Sequence, residues 1–316
     1  MPTADAMGRG AALTRLVGAL LAAALPGCAP VAAPDDLASQ FDGGRALRVA
    51  GELVALGPRP PGSPELDSSR RMLRGWLEEC GWEVEFQQFE SPTPFGPTRF
   101  VNVLARRPGA RPDIILASHI DTKIYREFRF VGANDGASST AALVELGRVL
   151  DAHAPRLAER IEFAFFDGEE CFVEYSESDG LYGSRHFVEQ LRAQRRVGQY
   201  SQGILLDMVG DRDLEITFPA DSPPQLARLF FEASSDLGLR RHFSLWHQNI
   251  LDDHVPLNRA GIPTIDVIDF DYPPWHTPGD TLDKLSAESL RIVGSVTLEV
   301  LRRIGRGEGV KSDPGH

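Results

Sequence analysis

Residues 161–170 read IEFAFFDGEE, an apolar run that ends in an acidic turn. A second apolar run, DIILA at 113–117, is followed by SHID at 118–121. Helical apolar spacing from about Gly136 to Leu150 lies between them and predicts a strand, helix, strand unit with both strands buried. Such a unit favours a parallel sheet, and it places acidic and imidazole groups directly after the strands.

The remaining segments extend this unit into one sheet. Alternating residues from Trp82 to Phe89 and from Phe100 to Ala105 predict an antiparallel pair near a sheet edge. GILLDM at 203–208 and PTIDVI at 263–268 predict two more central strands. Further helices are expected at 41–56, 64–80, 224–237 and 286–304. The fold class is therefore α/β: a single domain over 41–304 with a mixed, mostly parallel central sheet and helices on both faces.

Composition limits the partners. The 316 residues include 33 Lys+Arg against 45 Asp+Glu, a net charge of −12, and 42% are apolar, as in ordinary globular proteins. A strongly acidic chain argues against nucleic acid, whose binding depends on clustered Lys and Arg. The three cysteines, Cys28, Cys80 and Cys171, are too scattered for a CxxC metal site. Export would permit a bond between Cys80 and Cys171, but spacing does not establish one.

The N-terminal segment has the pattern of an export signal. Arg9 and Arg15 precede an apolar run that is too short to span a bilayer, and its end, LPGC at 25–28, resembles a bacterial lipobox. We expect a lipoprotein-type signal peptide at 1–27, a tether at 28–40 and a loose polar tail at 305–316. The protein would be exported and anchored in the bacterial cell envelope through lipid on Cys28, facing periplasm or exterior. The alternative is an ordinary signal in which Cys28 is incidental.

Acidic and imidazole groups gather at the predicted strand ends. They comprise His119, Asp121, Asp135, Glu169, Glu170, Asp207, Asp252, Asp253, His254 and His276. Each has an ordinary explanation: Asp135 could cap its helix, the glutamates could be solvated, and His276 could be a packed loop residue. Those explanations would have to hold independently at five or six strand ends, so a shared metal ion is the better account.

Zinc suits the residues available. Zn²⁺ prefers four ligands from imidazole, carboxylate or thiolate, and a working site leaves one position open. Asp135, Glu170 and His276 offer two oxygens and one nitrogen from three separate loops. The adjacent Glu169 cannot easily bind the same ion and is then free to act as a general base.

Seven motifs carry a family resemblance. They are SHIDTK at 118–123, FVGANDGA at 130–137, FFDGEE at 165–170, SDGLYGSRHF at 178–187, LLD at 205–207, DDHVPL at 252–257 and PWHT at 274–277. The series resembles the glutaminyl-peptide cyclotransferases, or glutaminyl cyclases, within the M28 zinc aminopeptidase superfamily. The resemblance spans about residues 45–304 and implies the zinc-exopeptidase fold.

The resemblance also implies roles for individual residues. It matches Asp135, Glu170 and His276 to the ligands of a single zinc and Glu169 to the proton-transfer residue. Asp207 and Asp252 match two carboxylates hydrogen-bonded near that residue, and Trp275 matches an aromatic wall of the substrate pocket. His119 matches a second-metal ligand of the two-zinc aminopeptidases, and cyclases keep that histidine without a second zinc.

Two positions depart from the animal cyclases. Tyr175 stands where they have a pocket tryptophan, which keeps an aromatic wall and adds a hydroxyl. Asp266 stands where they have a histidine in the hydrogen-bond chain around the acid/base, so that chain must be wired differently.

The implied activity is zinc-dependent cyclisation of an N-terminal glutamine, in peptides or proteins, to pyroglutamate with release of ammonia. The main alternative is a secreted M28-type aminopeptidase, in which Glu169 activates a metal-bound water and Asp135 bridges two zinc ions. A second alternative is a lipid-tethered protein whose inactive pocket only captures peptides, and the intact Glu169 argues against it.

Overall fold

A central eight-stranded sheet organises the computed structural model, which describes residues 36–308. The strands are Glu83–Thr93 (β1), Gly96–Arg106 (β2), Ile114–His119 (β3), Ile161–Phe166 (β4), Gln202–Asp207 (β5), Ile216–Phe218 (β6), Phe243–Leu245 (β7) and Thr264–Ile268 (β8). The helices are Gly43–Leu56 (α1), Pro64–Glu79 (α2), Ser139–His153 (α3), Pro155–Ala158 (α4), Tyr182–Ala193 (α5), Pro224–Asp236 (α6), His254–Ala260 (α7) and Ala287–Gly305 (α8).

The spatial order of the strands is β1-β2-β4-β3-β5-β8-β6-β7. The four central strands β4, β3, β5 and β8 are parallel, and all their residues are buried, as expected of strands covered on both faces. The hairpin β1–β2 is antiparallel and forms one edge, as predicted. β6 joins β8 in the antiparallel sense, so the predicted mixed, mostly parallel α/β sheet is confirmed.

Successive side chains of β4 pack alternately into two different apolar clusters. Phe163 and Phe165 belong to the larger apolar cluster, which includes residues of α1, α3 and α8. Ala164 and Phe166 belong to a smaller cluster with residues of α5 and α7. Because side chains alternate across a strand, the two clusters lie on opposite faces of the sheet, each covered by helices.

Two helix starts follow from local sequence chemistry. The Ser63 hydroxyl accepts the backbone N–H of Leu66, and Pro64 occupies the first position of α2. Ser286 accepts backbone N–H groups at the start of α8. The predicted boundaries of these helices therefore agree with the structure to within a residue or two.

The folded body begins earlier than the sequence indicates. Leu37–Gln40 forms a short 3-10 turn, and Leu37 is fully buried. The carbonyl of Gln40 accepts a hydrogen bond from Arg148 of α3 at 3.2 Å. The end of the expected tether is thus packed against the domain. The expected signal peptide, Cys28 and all but the first residues of the expected tail lie outside the described residues. Within residues 36–308, no helix combines the length and the apolar character needed to cross a bilayer.

Candidate active site

Four of the predicted residues lie where the central strands end. His119 is the last residue of β3 and Asp207 is the last residue of β5. Glu169 and Glu170 lie in the turn that follows β4. Because β3, β4 and β5 are parallel neighbours, their carboxyl ends bring these side chains to one edge of the sheet.

Two further residues come from loops with unusual backbone. Asp135 lies in the turn Ala133–Ser138 before α3 and leaves helical geometry, with φ −78° and ψ 97°. The next residue, Gly136, has φ 91°, and a Cβ there would lie 2.9 Å from the carbonyl oxygen of Asp121. His276 has φ 55°, in the left-handed region that side chains seldom adopt. Backbone held this way is typical of functional sites.

Asp135, Glu170 and His276 converge on one point. Their ligand atoms all lie within 4.8 Å of one another. Nε2 of His276 is 3.1 Å from Oε1 of Glu170 and 3.4 Å from Oδ2 of Asp135. Residues separated by more than a hundred positions in the chain are therefore assembled into one cluster by the strand-end loops.

This cluster fits a divalent cation. Oδ2 of Asp135 is buried and has no hydrogen-bond partner among the described residues, so one oxygen is left for a ligand. Burial, and then the neighbouring charge of Glu170, raise the pKa of Asp135 to about 7, and the contact with His119 opposes that shift. Two carboxylates and one imidazole form a donor set that zinc accepts, with a coordination position left open.

A second cluster shares Asp135 with the first. Nε2 of His119 lies 3.1 Å from Oδ1 of Asp135 and 3.3 Å from Oδ1 of Asp207. All three residues are buried, and their ligand atoms also lie within 4.8 Å of one another. Asp135 thus has one oxygen in each cluster, an arrangement that could hold one ion or two.

Glu169 stands beside these clusters but belongs to neither. Its side chain is 5% exposed, and Oε2 accepts a hydrogen bond from the Tyr175 hydroxyl at 3.0 Å. Burial, and then the charges of Asp252 and Glu170, raise the pKa of Glu169 well above its usual value. A buried carboxyl with a raised pKa next to a metal-binding cluster is suited to proton transfer near neutral pH.

Asp252 acts on Glu169 through its charge, and neither Asp252 nor Asp207 has a direct hydrogen bond to Glu169 in the described structure. Burial and the charge of Asp207 raise the pKa of Asp252 to about 6. Asp266 is fully buried, and its Oδ2 lies 3.5 Å from Nδ1 of His254. The start of α7 therefore places a histidine next to this carboxylate, but the two side chains make no hydrogen bond with each other.

The clusters open into a pocket of about 260 Å³. The Trp275 ring forms one wall, stacks on the ring of His276 with centroids 4.2 Å apart, and is 37% exposed. Tyr175 also lines the pocket. The pocket lining includes Asp135, Glu169, Glu170, Tyr175, Asp207, Asp252, Trp275 and His276, together with the 246–251 loop, whose role the sequence analysis missed. A larger groove of about 890 Å³ near α6 contains none of the predicted site residues.

Two carboxylates hold the ligand loops: Asp121, which was expected at a strand end but without this role, and Asp280, which was not expected. Asp280 accepts the backbone N–H groups of Asn134 and Asp135 at 2.8 and 3.2 Å. Asp121 accepts those of Glu169 and Glu170 at 3.2 and 3.3 Å. The only signals in the sequence are that Asp121 ends the HID segment at 119–121 and that Asp280 follows the PWHT motif at 274–277. An acidic loop residue usually has no such role.

The two cysteines of the described body are not bonded to each other; both are free thiols. Cys171 is buried, and its carbonyl accepts a hydrogen bond from Lys123 at 3.1 Å.

Lys123 also lies 3.4 Å from Oε2 of Glu170. Burial opposes ionisation of Glu170, but the hydrogen bond from His276 and the neighbouring charges hold its pKa at about 2, so it is ready to bind a cation.

Comparisons with known proteins identify the family of this chain. Residues 102–301 match the model of Peptidase family M28. The glutaminyl-peptide cyclotransferase of Gloydius blomhoffii is 33% identical over 288 residues, covering 77% of each chain. The crystal structure of an Acidobacteriales bacterium glutaminyl cyclase has a TM-score of 0.77 and 32% identity, and it covers 85% of this chain and 96% of that one.

A peptidase is also among the structural neighbours. The leucine aminopeptidase precursor from Bacteroides thetaiotaomicron has a TM-score of 0.75 and 28% identity over 83% of this chain and 97% of its own. The fold alone is thus common to both branches, whereas the extensive sequence match is to the cyclases. The chain therefore belongs to Peptidase family M28 and, within it, to the glutaminyl-peptide cyclotransferases.

Proposed function

We propose that this protein is a zinc-dependent glutaminyl-peptide cyclotransferase that acts on the N-terminal glutamine of peptides or proteins. The observation that carries the proposal is the buried Glu169, which stays outside a converging set of Asp135, Glu170 and His276. One zinc ion held by that set is the cofactor we favour. Membership of the family and the donor chemistry support zinc.

The reaction joins two groups of the same residue. Zinc, when bound, supplies a Lewis acid that makes the γ-carbonyl carbon of the substrate more electrophilic. Glu169 takes a proton from the α-amine as that nitrogen bonds to the γ-carbon. The carboxyl then delivers the proton to the γ-nitrogen as the C–N bond breaks and ammonia leaves. Because both groups are in one residue, effective concentration replaces a separate bound nucleophile.

The surrounding residues prepare Glu169 for both steps. The nearby carboxylate of Asp252 disfavours the ionised form of Glu169, which helps it accept a proton. Asp207 in turn raises the pKa of Asp252 and lies against His119. The rings of Trp275 and Tyr175 line the pocket and would exclude water from the folded-back substrate.

Mass measurement tests the proposal directly. The purified body should convert a glutamine-initiated peptide into a product lighter by one ammonia, and a matched peptide that begins with leucine should stay intact. Release of a free N-terminal amino acid from either peptide would identify a peptidase instead.

A two-zinc aminopeptidase is the second candidate, because His119, Asp135 and Asp207 form an intact second cluster. In that enzyme Asp135 would bridge two ions and Glu169 would activate a water molecule. Because the geometry of the second cluster fits both candidates, the metal content and the identity of the product are the measurements that separate them.

We also propose export and lipid attachment at Cys28, on the basis of the leader sequence. In a bacterial host that processes lipoproteins, the protein should incorporate labelled fatty acid and enter the detergent phase. Cys28→Ser should abolish both properties, and Cys80→Ser should retain them as the control. Fatty acid on the Cys28→Ser protein would contradict the proposal.

A further inference from the structure

The Tyr175 hydroxyl lies between two carboxylates with different tasks. It is 3.0 Å from Oε2 of Glu169 and 3.1 Å from Oε2 of Glu170, both within hydrogen-bond distance. A phenol has one proton to donate and lone pairs that accept. It can therefore donate to one of these oxygens at a time, and it can accept from the other carboxyl when that carboxyl is protonated.

The loop that carries Tyr175 is held by many hydrogen bonds. The carboxylate of Asp179 accepts the backbone N–H groups of Phe172 and Val173 at 2.8 Å each. The backbone N–H of Ser176 also donates to the carbonyl of Asp179, which closes the turn around Tyr175.

A glycine makes room for the ring. Gly180 has φ 90°, and a Cβ there would lie 2.8 Å from Cδ1 of Tyr175. The Nζ atom of Lys123 lies over the same ring, 5.2 Å from its centroid. The position of the hydroxyl is therefore set by the loop and its packing, as expected of a preorganised contact.

We propose that Tyr175 is a positioning residue for Glu169, an inference that rests on the proposed cyclisation. While Glu169 is ionised, the Tyr175 hydroxyl donates a hydrogen bond to Oε2 of Glu169. Once Glu169 carries the proton taken from the substrate amine, the same hydroxyl accepts a hydrogen bond from that carboxyl and donates to Glu170. No proton leaves Tyr175, and the contact persists through both half-reactions.

This switching contact has a physical purpose. Glu169 is adjacent in sequence to Glu170, so its carboxylate could turn toward a cation in the neighbouring cluster. The hydroxyl restrains Oε2 at a fixed place and keeps the carboxyl directed into the pocket. A ring without a hydroxyl would preserve the pocket wall but lose this restraint.

Tyr175→Phe tests the proposal, with Tyr125→Phe as the matched control. The Tyr125 ring also lies near His276, at 6.1 Å between centroids, but its hydroxyl has no hydrogen bond among residues 36–308. Loss of a hydrogen bond to a charged group should lower kcat by about tenfold or more. KM should stay within about twofold, because the aromatic wall remains.

A second measurement does not depend on turnover. The Tyr175→Phe protein should release zinc to a chelator no faster than wild type, because in the resting enzyme the hydroxyl donates to Glu169 and not to the ligand Glu170. Faster release would mean that the hydroxyl acts through Glu170 and would contradict the proposal. The Tyr125→Phe protein should behave as wild type in both assays.

The outcomes are distinguishable. If wild type cyclises the peptide and Tyr175→Phe keeps its kcat, or changes only KM, Tyr175 is a wall residue and this proposal is overturned alone. If wild type forms no pyroglutamate, the proposed function and this inference fall together.

Discussion

At the scale of single residues, the site concentrates buried carboxyl groups that have few positive partners. Asp253 and Asp266 are fully buried, burial raises the pKa of both, and none of their oxygens has a hydrogen-bond partner in the described structure. An unpaired buried charge costs several kcal/mol, so such groups hold protons or face a cation. The charge of Asp253 is one of those that raise the pKa of Glu169 and so favour its protonated form.

Replacing Glu169 by Gln tests that chemistry. The amide has the same shape but cannot take a proton from the substrate amine, so kcat should fall by about a hundredfold or more. Zinc content should remain that of wild type, because Glu169 lies outside both ligand clusters. Glu174→Gln, an exposed glutamate in the adjacent loop, is the control. Substantial cyclisation by the Glu169→Gln enzyme would reject the assigned role.

The residue types in the sequence indicated which acidic and imidazole side chains gather at the strand ends, but not which of them contact each other. The separation of Glu169 from Glu170 could be argued from their adjacency alone. The contact between Asp266 and His254 could not, because it depends on how α7 sits against β8. Asp121 and Asp280 act on backbone N–H groups, a role that leaves no mark in sequence beyond an acidic loop residue.

At the scale of secondary-structure elements, the long helices and buried strands were readable because several local signals agreed. Ser63 and Pro64 together define the start of α2. The strands β6 and β7 have only three residues each, too few for a periodic pattern. Helix α5 follows Leu181, which has φ 55°, so it lacks an ordinary N-cap signal. Tertiary contacts decide such elements.

Two helical glycines give a matched prediction about packing. A Cβ on Gly294 of α8 would lie 2.2 Å from a ring carbon of Phe41. Gly294→Ala should therefore lower the free energy of unfolding by about 1–3 kcal/mol despite the better helix propensity of alanine. Gly75→Ala in α2 meets no atom within 4 Å and should raise that free energy by about 0.5–1 kcal/mol. Denaturant titration measures both, and a stabilised Gly294→Ala protein would disprove the close contact.

At the scale of the whole molecule, the sheet collects ligands that are distant in the chain. The carboxyl ends of β3, β4 and β5 and two separate loops build both clusters, so neither exists in the unfolded chain. Metal affinity is therefore coupled to the stability of the complete fold. This assembly was predictable in outline because parallel strands end at a common edge. The pocket loop 246–251 was not, because it carries no periodic or ligand-like pattern.

Metal stoichiometry tests this coupling and the choice between the candidate functions. The purified protein should contain about one zinc per chain, and His276→Asn should lose it. Asparagine tolerates the left-handed backbone at this position, so strain should not confound the result. Chelation should lower the melting temperature of wild type but not of His276→Asn, because only a folded site binds the ion.

His119→Asn is the companion variant. It should keep about one zinc if the protein is the cyclase proposed above, because its imidazole belongs only to the second cluster. Two equivalents in wild type, with one lost in His119→Asn, would favour the aminopeptidase instead.

The packing of Leu37–Gln40 has a consequence for how an anchored form would meet its substrates. The turn contacts α3 at Arg148. Arg148 lies about nine residues, or roughly 14 Å, along α3 from its first residue, Ser139, which is the end of the helix next to the catalytic edge. Seven residues lie between Cys28 and Asp36, so eight Cα-to-Cα steps span at most about 28 Å when extended. Fatty acids on Cys28 would thus hold the enzyme close to the membrane on the side where the Leu37–Gln40 turn contacts α3. The pocket would then open along the membrane surface, toward polypeptide N-termini displayed on that surface.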